Sequence, residues 1–113
     1  MTRLYIDDER NPPSRKWEVA RSQAAVEWYL DNIGTPLYIS FDHDLGDQVP
    51  SGYDIAKMMV DRALEGRLDF AAIKQINVHS ANGVGAENIR GLFSSYFRFM
   101  QSEGITVNMP IIT

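Results

Sequence analysis

The chain has 113 residues, 44% of them hydrophobic, and contains no cysteine. This length predicts one domain over residues 1–113 with a single core, and the missing cysteines exclude a disulfide framework and a thiolate metal site. The formal net charge is −4 and becomes +1 when Asp7, Asp8, Asp42, Asp44 and Asp47 are left out, which argues against a general DNA-binding surface and favours a localised cation site.

No segment has the roughly 20 consecutive apolar residues that a membrane-spanning helix requires. The start of the chain also lacks the apolar run of a signal peptide. Together with the absence of cysteine, these features predict a cytoplasmic protein that does not contact membranes.

Strand-like and helix-like patterns alternate along the chain. Alternating or β-prone runs predict five strands, at 3–6, 17–21, 37–41, 73–78 and 105–109. Apolar residues at one-face spacing predict three helices. Ser22 and Ser51 are suitable N-caps for the first two helices, and the third follows a predicted loop over residues 80–85. No helix is predicted between the first two strands or after the last.

This order predicts an α/β fold with a parallel sheet and right-handed crossovers. In the strand order 2-1-3-4-5, the two missing helices would cover the same face of the sheet. Polar residues alternate with apolar ones in these strands, whereas fully buried parallel strands are continuously apolar. We therefore predict a two-layer sheet whose uncovered face binds a second copy of the chain or a protein partner. The residues expected on that face are Tyr5, Tyr38, Ser40, Gln75, Asn77, Thr106 and Asn108.

Polar clusters follow three of the predicted strands. They are Asp7-Asp8-Glu9, Asp42-His43-Asp44 and His79-Ser80-Ala81-Asn82. A single cluster of this kind is typical of a turn. The carboxyl ends of parallel strands, however, converge on one edge of a sheet, where ligands bind. The acidic residues and both histidines of the chain are therefore expected to share one site.

The acidic residues of this site predict a divalent cation. Asp7, Asp8 and Asp42 offer the hard oxygen ligands that Mg²⁺ and Mn²⁺ prefer. Without a cation, three converging carboxylates would repel one another. The alternative is that one or two of them cap loops and face water.

The segment after the fourth strand predicts a phosphate-binding site. Ser80, Asn82 and the amides of Gly83 to Gly85 precede a helix, and free amides at a helix N-terminus bind anions. The alternative is helix capping, with the glycines needed for turn geometry.

These motifs resemble the response-regulator receiver domain, and more closely its cyclic-phosphate-processing branch. The resemblance rests on three runs, Tyr5-Ile6-Asp7-Asp8-Glu9-Arg10, Phe41-Asp42-His43-Asp44-Leu45-Gly46 and His79-Ser80-Ala81-Asn82 with Gly85. It implies a receiver-like, flavodoxin-like fold, a metal shell completed by the backbone carbonyl of Asp44, and a contact between Ser80 and a phosphoryl group. The chain departs from receivers at the fifth strand, where Asn108-Met109-Pro110 stands in place of the lysine that pairs with the phosphorylated aspartate.

The resemblance implies a metal-dependent phosphoesterase that processes a cyclic phosphate of a nucleotide or of an RNA end. Imidazole can take and give protons near neutral pH, so His43 and His79 are predicted to act as acid and base beside Asp42. Each histidine could instead be structural or a metal ligand. The alternative functions are a receiver-like signalling module, phosphorylated on Asp42 or binding phosphate without turnover, and an interaction domain with a relic site.

Overall fold

Nine short elements make up the structure, a computed structural model that describes residues 2–42, 51–80, 83–104 and 109–113. They are β1 (Arg3–Ile6), β2 (Glu18–Ala20), α1 (Gln23–Asn32), β3 (Tyr38–Phe41), α2 (Gly52–Leu64), a 3₁₀ helix (Phe70–Ala72), β4 (Gln75–Val78), α3 (Gly83–Ser102) and β5 (Ile111–Ile112). The strands are parallel and lie in the order β2-β1-β3-β4-β5. The predicted fold class, sheet order and three helices are confirmed.

The fifth strand differs most from its prediction, which places it at 105–109. The pairing with β4 is made instead by Ile111 and Ile112, Met109 lies outside the strand, and residues 105–108 fall outside the described part of the chain. Pro110 has no N–H to donate to a neighbouring strand, so the pairing with β4 begins at the next residue, Ile111. The Ile111 amide donates to the Lys74 carbonyl at 3.0 Å.

Serine N-caps begin the first two helices, as predicted. The Ser22 hydroxyl accepts a hydrogen bond from the Ala25 amide at 3.2 Å, and Ser51 and Asp54 form a reciprocal capping box. These side chains satisfy amides that have no partner within the helix. Among the described helices, none combines the length and the apolar character needed to cross a bilayer.

All three helices pack on one face of the sheet. Alternate strand residues contribute to the same buried cluster as the apolar faces of the helices, and these strand residues are Leu4, Ile6, Ile39, Phe41, Ile76 and Val78. Because successive side chains of a strand point to opposite faces, these positions define the helix-covered face. The described chain has no helix between β1 and β2. The other face therefore carries no helix in the described ranges, in agreement with the two-layer prediction.

The helix-free face is nevertheless partly covered, which corrects the prediction of a bare polar surface. Tyr5, Ser40 and Asn77 lie side by side in register across β1, β3 and β4. Tyr5 is only 7% exposed, because the Trp17 ring packs edge-on against it and the His79 ring stacks on it. The face thus has a small polar and aromatic core of its own.

Exposed apolar side chains flank this face on both sides. Val19 and Ile111 are 38% and 67% exposed, and their register partners are Tyr5 and Gln75, two residues of the helix-free face. Two further residues expected on that face, Thr106 and Asn108, lie outside the described residues. The predicted dimer or protein partner stays a prediction that these two apolar side chains favour.

We expect the chain to dimerise through this face, with about 800 Å² buried per chain. Replacing Ile111 by glutamate should weaken the dimer at least about tenfold in sedimentation velocity, because a charge would be buried at the interface. Leu64→Glu is the matched control, since Leu64 is 60% exposed on α2 and lies away from the sheet. A wild-type chain that stays monomeric at every concentration would contradict the prediction.

Candidate metal centre

Three adjacent strands deliver their polar side chains to the same edge of the sheet. Ile6, Phe41 and Val78 are paired in register at the ends of β1, β3 and β4. The next residues therefore leave the sheet side by side. The Asp42 amide donates to the Ile6 carbonyl and the His79 amide to the Phe41 carbonyl, each at 2.8 Å. The backbone itself thus places Asp7, Asp42 and His79 together.

The three carboxylates predicted to bind a metal lie close to one another. One oxygen each from Asp7, Asp8 and Asp42 can be chosen so that all three lie within 4.8 Å of one another. Asp7 and Asp42 are buried, at 1% and 6% exposure, and Asp8 is half-buried. Buried carboxylates at this separation require a positive charge between them or hydrogen bonds around them. Their oxygens fit Mg²⁺ or Mn²⁺ by donor type.

Asp7 is held by donors on both carboxylate oxygens. Its Oδ1 accepts from the backbone amides of Glu9 and Arg10 at 2.9 and 2.8 Å, and its Oδ2 lies 2.9 Å from His79 Nε2. Burial by itself raises the pKa of Asp7, but the Arg10 and Glu9 amides and His79 outweigh it and lower the pKa below its usual range. Asp7 is therefore a carboxylate near neutral pH and is fixed in orientation.

His79 lies between the carboxylates and the helix-free face. Its Nε2 contacts Asp7 Oδ2, while its Nδ1 lies 2.6 Å from the Ser40 hydroxyl. The ring stacks on Tyr5 with centroids 4.4 Å apart and planes 5° apart, which leaves the side chain 15% exposed. Both ring nitrogens are thus engaged, and the ring is fixed by a carboxylate, a hydroxyl and an aromatic face.

Two arginines at this edge were not predicted as site residues. Arg21 Nη1 donates to the backbone carbonyls of Asp7 and Arg10 at 3.1 and 2.7 Å, so it holds the loop after β1 in place. The exposed Arg10 reaches across the edge, where its Nη1 donates to the His79 carbonyl at 3.1 Å. The sequence did contain a signal for Arg10, because it follows the acid pair within the same short loop.

The remaining predicted residues divide into two groups. His43, Asp44 and Asn82 lie outside the described residues. Ser80 is half-buried directly after His79, while Gly83 and Gly85 belong to the first turn of α3. The loop predicted over residues 80–85 is therefore wrong in its second half, because the helix already begins at Gly83. A helix can include these glycines at a modest cost in backbone entropy.

Two clefts formed by described residues lie outside the carboxylate cluster. One, of about 560 Å³, runs between α1 and α2 and is lined mostly by charged side chains such as Glu27 and Lys57. The other, of about 190 Å³, lies on the helix-free face beside Trp17 and Tyr38. Neither of these two clefts is lined by a predicted metal ligand, and the site is identified by the chemistry of its carboxylates.

Comparison with known proteins points to one family. A sequence profile described as the cyclic-phosphate processing receiver domain matches residues 2–95. No curated protein sequence matches the chain. Among solved structures, a yeast Spc42 trimeric coiled-coil segment fused to another structure is similar with a TM-score of 0.48 and 12% identity, over 93% of this chain and 85% of that one. A likeness of that size supports no conclusion about function.

Proposed function

The chain belongs to the cyclic-phosphate processing receiver domain family, whose profile spans residues 2–95, and on this premise we propose that it is a metal-dependent phosphoesterase. Its substrate would be a cyclic phosphate of a nucleotide or of an RNA end. The observation that carries the proposal is the group of three carboxylates, Asp7, Asp8 and Asp42, whose oxygens lie within 4.8 Å of one another. Such a group is suited to hold Mg²⁺ or Mn²⁺.

In this proposal the carboxylates have distinct roles. Asp42 and Asp8 would hold the cation through their carboxylate oxygens, and the backbone carbonyl of Asp44 would add a further ligand. Asp7 is fixed by Glu9, Arg10 and His79, so it would offer the cation a carboxylate of fixed orientation. When bound, the cation would neutralise the charge that grows on the phosphoryl oxygens during ring opening.

Ring opening requires two proton transfers. A water oxygen forms a bond to phosphorus and loses a proton, while the bond from phosphorus to one ring oxygen breaks and that oxygen takes up a proton. We assign these transfers to His43 and His79, one of them as the base and the other as the acid. His79 supports this assignment because its Nε2 faces the carboxylate group. It can exchange a proton with a substrate or water only where its bond to Asp7 is shared or released.

Positive charge for the phosphoryl group would come from Arg10 and from the start of α3. No lysine occurs in residues 105–113, so the lysine of ordinary receivers has no counterpart there. Arg10 is anchored at the same edge by its bond to the His79 carbonyl, and a guanidinium binds phosphate oxygens through several donors. Ser80, Asn82 and the amides of Gly83 and Gly85 would contact the other phosphoryl oxygens at the helix N-terminus.

The direct test is incubation of the protein with Mg²⁺ or Mn²⁺ and a panel of cyclic phosphates, followed by phosphorus NMR. The panel should include nucleoside 2′,3′-cyclic and 3′,5′-cyclic phosphates and an RNA that ends in a cyclic phosphate. We expect conversion of at least one compound to a phosphomonoester and loss of that activity with a chelator. No conversion of any compound with either metal would contradict the proposal.

A signalling module is the second candidate, because the same group of carboxylates could accept a phosphoryl group on Asp42. We expect that acetyl phosphate with Mg²⁺ leaves no lasting adduct on Asp42. Without a lysine in residues 105–113, no ammonium from that segment stabilises an acyl phosphate. Intact-mass spectrometry after rapid acid quenching measures the adduct, with a receiver that keeps its lysine as the positive control. A persistent adduct of one phosphoryl group would favour signalling over hydrolysis.

A further inference from the structure

A continuous line of polar side chains crosses the helix-free face and ends at the metal centre. It consists of Gln75, Thr113, Asn77, Ser40, His79 and Asp7, and consecutive members are hydrogen-bonded at 3.1, 2.8, 3.2, 2.6 and 2.9 Å. We call this series the face chain. The strands of the sheet bring together residues that are up to 106 positions apart in the sequence.

The hydrogen bonds of the face chain can all be donated in the same direction, from Gln75 toward Asp7. The Gln75 amide donates to the Thr113 hydroxyl, which donates to the Asn77 carbonyl oxygen. The Asn77 amide nitrogen donates to Ser40 Oγ. A serine hydroxyl has a single hydrogen, and in this direction Ser40 donates it to His79 Nδ1. A neutral imidazole that accepts at Nδ1 carries its hydrogen on Nε2, which is the nitrogen beside Asp7 Oδ2.

We infer that Ser40, Asn77 and Thr113 are positioning residues of the metal centre, which hold His79 with its Nε2–H directed at Asp7. The inference rests on the cation of the proposed function. Hydrogen-bonding partners of metal-binding groups set the orientation and basicity of those groups, and their loss typically costs 10- to 100-fold in metal affinity. The face chain thus couples the middle of the sheet to the metal-binding edge.

Burial and packing indicate that the face chain has a defined geometry. Ser40 is 4% exposed and Asp7 1%, so neither can readily replace its partner with water. The Thr113 backbone is fixed at both ends, since its amide donates to the Ile76 carbonyl at 2.9 Å and its carbonyl accepts from Arg90 Nε at 3.0 Å. The Tyr5 ring stacks on the His79 ring and restricts its motion. The bonds to Asp7 and Ser40 and the stacking on Tyr5 leave the His79 ring little freedom to turn.

The first test measures Mg²⁺ affinity by calorimetry on the full chain. Ser40→Ala removes the partner of His79 Nδ1 and should raise the Kd for Mg²⁺ by about 10- to 100-fold. Ser40→Thr keeps the hydroxyl and should restore most of the affinity. Thr113 is two hydrogen bonds further from His79 than Ser40 is, so Thr113→Val should raise the Kd by only about two- to fivefold, the equivalent of one neutral hydrogen bond. Tyr38→Phe, which removes a hydroxyl outside the face chain on the same strand, should leave the Kd unchanged.

The second test reads the His79 ring by nitrogen-15 NMR without metal. In the wild type we expect the hydrogen on Nε2, and in Ser40→Ala a mixture of both tautomers; a role in folding alone would leave the tautomer unchanged. Should Ser40→Ala not fold, the exposed Thr113 still allows the test through Thr113→Val, and an unchanged Kd for Mg²⁺ in that variant would then by itself overturn the inference.

Three results would overturn the inference: a wild-type hydrogen on Nδ1, an unchanged Kd for Mg²⁺ in both Ser40→Ala and Thr113→Val, or a wild-type protein that binds neither Mg²⁺ nor Mn²⁺. A protein that shows the expected changes in affinity and tautomer but opens no cyclic phosphate would support the face chain and overturn the proposed activity alone. The two proposals can therefore fail separately.

Discussion

Replacing Asp42 by asparagine should abolish the binding of Mg²⁺ and Mn²⁺ while the fold remains intact. Asparagine has almost the same shape, and the Asp42 backbone amide would keep its bond to the Ile6 carbonyl. The change removes one of three clustered carboxylates, so the cation loses a charged ligand and the repulsion within the metal-free site decreases. Hydrolysis of any cyclic phosphate should disappear with the metal.

Both effects can be measured in one set of experiments. At a Mg²⁺ concentration of 100 times its Kd, binding should stabilise the wild type by about 2.7 kcal/mol and the variant not at all. Asp61→Asn is the matched control, because it makes the same change in charge at an exposed position of α2. Equal stabilisation of the wild type and Asp42→Asn by Mg²⁺ would remove Asp42 from the site.

Replacing either His43 or His79 by alanine should lower the rate of ring opening by about 100-fold or more, the usual contribution of a general acid or base. In free energy of activation this corresponds to about 2.7 kcal/mol for each histidine. Rates should be compared at saturating metal, because His79→Ala also removes the hydrogen bond to Asp7 Oδ2. That loss should weaken Mg²⁺ binding by about tenfold or more.

The same variants distinguish the possible roles of the histidines. A bell-shaped pH–rate profile that loses one limb in each variant would support one acid and one base. If His43→Ala abolishes metal binding, His43 is a ligand of the cation. Full activity of both variants at saturating metal would show that the acid–base assignment is wrong.

Much of the fold could be predicted because its determinants are local. The alternation of apolar and polar residues reports which face of a strand is buried, and the spacing of apolar residues in a helix reports its packed side. Ser22 and Ser51 could be recognised as N-caps for the same reason, since each bonds to an amide only three residues away. The order of strands and helices then permits few topologies.

The approach of Asp7 and Asp42 was also predictable from the sequence. Both residues directly follow strands, and parallel strands end at one edge of a sheet. Their proximity therefore follows from the strand boundaries and the sheet order alone, and the sequence indicates both. The position of β5 was harder to predict, because a two-residue strand that follows Pro110 is too short to show a periodic pattern of apolar residues.

The environment of His79 depended on the tertiary structure. Its ring turns back over the sheet to meet Ser40 and Tyr5, which are 39 and 74 positions away in the sequence. No local pattern encodes such a contact, since a side-chain rotamer is selected by whatever neighbours the fold supplies.

The sequence by itself therefore determined the strand–helix order, the helix-free face and the edge at which the acidic residues meet, because these follow from periodicity and chain direction. Only the tertiary structure decided that Asp7 is held by His79, that Arg10 reaches the His79 carbonyl, and that Tyr5 is buried on the helix-free face. These contacts join side chains far apart in sequence, and their geometry exists only once the strands are paired.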